Sequence, residues 1–99
     1  MKDISVIGCG RWGTFLAWYA ANRCQDKIQN VLMYDLKTSP NFIELRDTRK
    51  NEYLALSDNM YLFDALDKVL VNDTVIISAS PIPGNEKMVY NVVNNIYQH

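Results

Sequence analysis

Ninety-nine residues, 48% of them hydrophobic, suffice for one compact domain and not for two. A net charge of −1, with acids and bases interleaved, gives no electrostatic reason to expect nucleic acid or an anionic membrane surface as a partner. No apolar run approaches the roughly 20 residues of a membrane span, and Cys9 and Cys24 fit neither a metal spacing nor a disulfide framework.

The chain opens into an apolar alternation over residues 3 to 7, with Ile4 and Val6 pointing one way, which predicts a short buried parallel strand. A strand so close to the start leaves no room for a signal peptide. With thiols kept reduced, the expectation is a soluble cytoplasmic protein. Gly8-Cys9-Gly10-Arg11-Trp12-Gly13 follows at once, and residues 11 to about 24 predict a helix with Trp12, Leu16, Ala17 and Ala20 at helical spacing. The polar stretch Gln25 to Asn30 predicts a loop, and Val31 to Tyr34 a second strand. Ser39-Pro40 is a helix start, a capping residue followed by a proline whose missing N–H costs nothing there. That short helix carries Phe42, Ile43 and Leu45, before an irregular charged stretch from Arg46 to Glu52.

Met60 to Phe63 predict a third strand. Asp64 is suited to cap a helix burying Ala65, Leu66, Val69 and Leu70. Thr74 to Ser78 predict a fourth strand, Pro81 and Pro83-Gly84 a break, and Met88, Val89, Val92, Val93 and Ile96 the apolar side of a last helix. Strands alternating with helices imply a parallel sheet with right-handed crossovers. The expected fold is α/β, a partial Rossmann-type doubly wound sheet of about four strands in the spatial order 3-2-1-4. Residues 1–99 then form a single dinucleotide-binding domain. An uncovered edge at the fourth strand points to the front part of a longer enzyme, or to a small protein that covers the edge by dimerising.

The glycine series carries the chemistry. A bare G-x-G-x-x-G is weak, but here it lies between a strand and a helix, and the acid Asp35 stands 22 positions after the last glycine, against an expected interval of about 20. Gly8 permits the sharp turn out of the strand, Gly10 close approach of the backbone to a pyrophosphate, and Gly13 tight packing of helix on strand. Unpaired amides in the first helical turn make an anion site. Asp35 can accept bonds from both hydroxyls of an adenosine ribose and repels a 2′-phosphate, so NAD is favoured over NADP. Trp12 is placed either to shield the pyrophosphate or to pack beneath the loop. The Arg11 backbone amide suits a phosphate better than its side chain does. Cys9 reads as a small apolar filler, Asp64 and Asp73 as caps or turn residues, and the Tyr and Phe content as spread singly; His99 is given no role.

With these motifs placed, the chain resembles the N-terminal domain of NAD-dependent glycerol-3-phosphate dehydrogenases. The likeness rests on Gly8 through Ala17 (an aromatic before the third glycine, then Thr14), on Arg49-Lys50-Asn51-Glu52-Tyr53-Leu54, and on Asn72 through Pro81. Departures are Phe15 where a small residue is usual, the missing Pro-Gly after Leu54, Tyr34-Asp35-Leu36 in place of Trp followed by Arg or His, and the reversed order Ser80-Pro81. The resemblance implies hydride transfer between NADH and dihydroxyacetone phosphate, giving glycerol 3-phosphate, as part of glycerophospholipid metabolism. It places the pyrophosphate on Gly10, Arg11, Trp12 and Gly13, the ribose on Asp35, and Ser80 and Pro81 at the cofactor's border. No lysine here matches the family's catalytic ones, so no catalytic residue and no metal ligand is assigned. The chain alone is expected to bind NAD and to leave the phosphorylated substrate to a further domain, with a homodimer as an option. Two other readings remain: an NAD-sensing module without chemistry, and another hydride-transfer family such as a ketopantoate or 6-phosphogluconate type.

Overall fold

A computed structural model describes residues 2–78 of the chain. It contains β1 (Lys2–Ile7), α1 (Arg11–Arg23), β2 (Ile28–Tyr34), α2 (Pro40–Thr48), β3 (Met60–Phe63), α3 (Leu66–Val69) and β4 (Val75–Ile77). The strands of the sheet all pair in parallel, in the order β3-β2-β1-β4, the expected arrangement. The last predicted helix, Pro81, Pro83-Gly84 and His99 lie outside the described residues.

Apolar residues of β1 point to both faces, because helices cover both. Ile4 and Val6 join Val31, Met33 and Met60 beneath α1 (Ala17, Ala20, Ala21) and α2 (Phe42, Leu45). Ile7, Tyr34 and Val69 form the opposite core, with Leu66 and Leu70 packed on it from α3 and its flank. This division places the end of β1, and the loop that follows, at the middle of the sheet. Among the described residues, no helix is long and apolar enough to cross a membrane.

Four local expectations are corrected. β2 starts at Ile28, so the polar stretch Gln25 to Asn30 is partly strand rather than loop throughout. The register shifts there, with Lys2 opposite Ile28 and Ile4 opposite Val31, and the extra residue leaves an unpaired amide. Asp3 satisfies it, its carboxylate accepting the Asn30 N–H at 3.1 Å and the Asn30 Nδ2 at 3.2 Å. Secondly, α2 runs on through Arg46 to Thr48 and ends on Arg49, whose φ of 60° puts its N–H on the Leu45 carbonyl. Ser39 is its N-cap as expected, with Pro40 at N1, but the hydroxyl makes no capping bond. Thirdly, Asp64 caps nothing, since it sits in a bend after β3 and the single-turn α3 takes the extended Ala65 as its N-cap. Its Val69 carbonyl and the Asn72 side chain both meet the hydroxyl of Ser5, buried at the sheet centre. Lastly, the aromatics are not scattered, for Trp12 stacks on Phe15 at 5.6 Å, and Phe15 on Trp18 at 6.5 Å, along the outside of α1. The spacing i, i+3, i+6 was legible as a helical stripe.

Candidate dinucleotide-binding site

The first residue after β1 is Gly8, with φ of 106°, a backbone that side chains rarely tolerate. The turn lets its N–H reach the Tyr34 carbonyl at 2.7 Å, the last rung between β1 and β2. Gly13 has a different reason to be glycine. A Cβ built there would lie 2.2 Å from the Gly8 carbonyl oxygen and 3.3 Å from Cβ of Ser78, so the helix sits against the loop where no side chain fits. Gly10 differs again: a Cβ would meet nothing within 4 Å. Its absence matters to nothing inside the described chain, and the space in front of it faces outward.

Gly10 is the N-cap of α1 and supplies no side-chain bond; no acid occupies the first turn. The ladder begins with Thr14 N–H on the Gly10 carbonyl at 2.9 Å, so the amides of Arg11, Trp12 and Gly13 find no acceptor among the described residues. Thr14 adds a brace, its hydroxyl donating to the Cys9 carbonyl at 3.0 Å. The result is a rigid loop in front of a helix's positive end, the chemistry an anion requires.

Asp35 stands at the end of β2, only 8% exposed. One carboxylate oxygen accepts the Cys9 N–H at 2.9 Å and the other the Leu36 N–H at 2.7 Å. The residue predicted to hold a ribose therefore also ties the glycine loop to the second strand. A carboxylate has about four acceptor positions, so two remain for sugar hydroxyls. Burial, and then the Asp35 charge, push the Cys9 thiol far above its ordinary value, so it stays protonated and inert. Tyr34 is raised by burial and then by Asp35 and Asp64.

Trp12 does not pack beneath the loop, being 65% exposed and part of the aromatic stripe. The Arg11 guanidinium lies 4.5 Å over the Tyr53 ring. Tyr53 belongs to a loop that sequence reasoning used only for resemblance. Asn51 shapes it by accepting the N–H groups of Tyr53 and Leu54 at 2.8 and 3.0 Å, and Arg49 clamps its base through the Ser57 and Met60 carbonyls, each at 2.9 Å. Between this loop, α2 and the glycine loop is a cleft of about 360 Å³ lined by Cys9, Arg11, Asn41, Glu44, Glu52 and Tyr53, among others. Nothing in a linear reading joins Asn41 and Glu44 to the glycine loop; the α2 crossover does. Ser80 and Pro81 lie outside the described residues, and among those described no cluster of metal-ligating side chains occurs.

A parallel sheet in this order, a glycine loop of this geometry and an acid ending the second strand define an α/β dinucleotide-binding domain. Residues 3–99 match the family model described as NAD-dependent glycerol-3-phosphate dehydrogenase N-terminus. The chain belongs to that family, and its cofactor is a nicotinamide dinucleotide. It is also similar to a glycerol-3-phosphate dehydrogenase [NAD(P)+] of Sulfurimonas denitrificans, 33% identical over 57 residues, a segment that makes up 58% of this chain and 18% of the relative. No solved structure matches the chain. The free amides, the open space at Gly10 and the buried carboxylate fit such a cofactor.

Proposed function

We propose that residues 1–99 are the cofactor-binding part of an oxidoreductase that interconverts dihydroxyacetone phosphate and glycerol 3-phosphate by hydride transfer. The observation that carries this reading is the row of amides at Arg11, Trp12 and Gly13, unpaired among the described residues, behind the unobstructed face of Gly10. The pyrophosphate rests on those amides. Asp35, already oriented by two backbone bonds, accepts the adenosine ribose hydroxyls and disfavours a 2′-phosphate. Gly8 shapes the turn, and Gly13 packs the helix against it while offering the ligand its backbone amide; Ser80 and Pro81, following β4, border the cofactor. The bound cofactor supplies or takes the hydride. No residue here is assigned to polarise the substrate carbonyl, so this chain binds cofactor and leaves turnover to lysines on a further domain. The protein works in the cytoplasm, where Cys9 and Cys24 stay reduced, and a homodimer would cover the edge of β4.

Titration with NADH, NADPH and ADP-ribose, followed by tryptophan emission, tests the reading. Trp12 adjoins the loop, so saturable quenching by NADH and by ADP-ribose is expected, with NADPH weaker. No saturable response to NADH or ADP-ribose defeats it. Gly10→Val should abolish the response by filling the space the phosphates need; undiminished affinity would place the ligand elsewhere.

A further inference from the structure

The polar cleft shares Cys9 with the glycine loop. The same Cys9 gives its N–H to Asp35, so the cleft adjoins the carboxylate assigned to the adenosine ribose. Its formal charges are unequal. Glu44 of α2 and Glu52 of the following loop contribute two negative charges and Arg11 one positive charge, and the guanidinium is already stacked on Tyr53. Both glutamates are exposed, and neither takes part in an ion pair among the described residues. Asn41 is the neutral polar group on the same wall.

We propose that Glu44 and Glu52 are specificity-determining residues that make the cleft hostile to a 2′-phosphate, so that rejection of NADP is shared between Asp35 and this wall. The inference rests on the proposed cofactor site and goes beyond it. Asp35 acts by direct contact with the ribose and has little freedom, because two amides fix it. The glutamates act through space, across a cleft of about 360 Å³. A dianionic phosphate next to two unpaired carboxylates is disfavoured by Coulomb repulsion, which water and salt weaken. Because the two groups are solvated, this repulsion must depend on ionic strength, whereas a misfit of shape would not.

The experiment compares the ratio of NADPH to NADH dissociation constants in the parent chain, in Glu44→Gln/Glu52→Gln, and in the charge-matched control Asp26→Asn/Asp67→Asn. Asp26 lies in the turn between α1 and β2, and Asp67 on α3 across the sheet. Tryptophan emission is the readout, at 0.01 M and 1 M salt, where the screening length is roughly 30 Å and 3 Å. At low salt the cleft variant should lower the ratio roughly five- to tenfold, and the control should leave it in place. In the parent the ratio should shrink as salt rises, and in the cleft variant much less. Saturable NADH binding with a ratio that the cleft variant does not move, or that the control moves equally, overturns this assignment and leaves the cofactor site standing. Failure of the parent to bind NADH or ADP-ribose overturns both.

Discussion

The two ends of the β1–β2 pair are closed by the same device with different consequences. At the amino ends Asp3 takes the amide and side chain of Asn30 across a register shift; at the carboxyl ends Asp35 takes the amide of Cys9 across the glycine turn. Asp3 is half-buried, and water can replace it. Asp35 is buried against a thiol and a helix end, so its charge reaches further and raises the proton affinity of both Cys9 and Tyr34. An aspartate pinning two strands is therefore not in itself a functional residue. What separates the two is the company of unpaired amides and an open approach, present at Gly10.

The sharpest test of that contrast sets Gly13 against Gly10. Gly13→Ala drives a methyl group into the Gly8 carbonyl, so a loss of about 3 kcal/mol or more is expected, read as a large fall in melting temperature. Gly10→Ala meets no atom and has ordinary φ, so stability should stay within about 1 kcal/mol of the parent while NADH affinity falls. Equal loss of stability in both would refute the division between packing glycine and approach glycine.

Next in size, Asp35→Ala should cost about 2–3 kcal/mol, since a charged acceptor is withdrawn from a buried amide, and should weaken NADH. Asp3→Ala should cost about 0.5–1.5 kcal/mol and leave NADH affinity alone. Chemical denaturation paired with the emission titration separates them, and an NADH defect in Asp3→Ala as deep as that in Asp35→Ala would erase the contrast.

The smallest effect is a pH slope. The folded thiol of Cys9 has a raised pKa, so its stabilising contribution is complete below the unfolded value of about 8.5 and declines as pH rises above it, by at most about 1.4 kcal/mol per pH unit. Denaturant midpoints between pH 7 and 10 should fall more steeply for the parent than for Cys9→Ala. Parallel slopes would show that Cys9 is not held as the neutral thiol.

Much of this was legible because strand, glycine series, helix and acid follow one another along the chain, each with its own local cause. Sequence alone assigns Gly8 as the turn, Gly13 as the packing glycine, the place of Asp35 at the end of the second strand, and the existence of β3 and β4. The rest depends on contacts between distant residues. β2 extends over Gln29 and Asn30 because Asp3 and Asn59 supply partners. Asp64 is no cap because α3 begins a residue later than the sequence suggests, with Ala65 at the N-cap. The cleft joins α2 to the glycine loop only after a crossover. The sequence admits two positions for Trp12, and in the structure it is exposed and stacked on Phe15, a pairing that helical spacing encodes.

Strand β1 is flanked on both sides, by β2 and by β4, and its protection runs past its own end: Ser78 N–H binds the Ile7 carbonyl as Gly8 N–H binds that of Tyr34. Deuterium should therefore enter β1 later than β3 and β4, the outer strands among the described residues, since reaching it requires neighbours on two flanks to part. The turn proposed to meet the phosphates is thus moored to a strand held on both flanks, so a ligand arriving there would not wait for the loop to assemble.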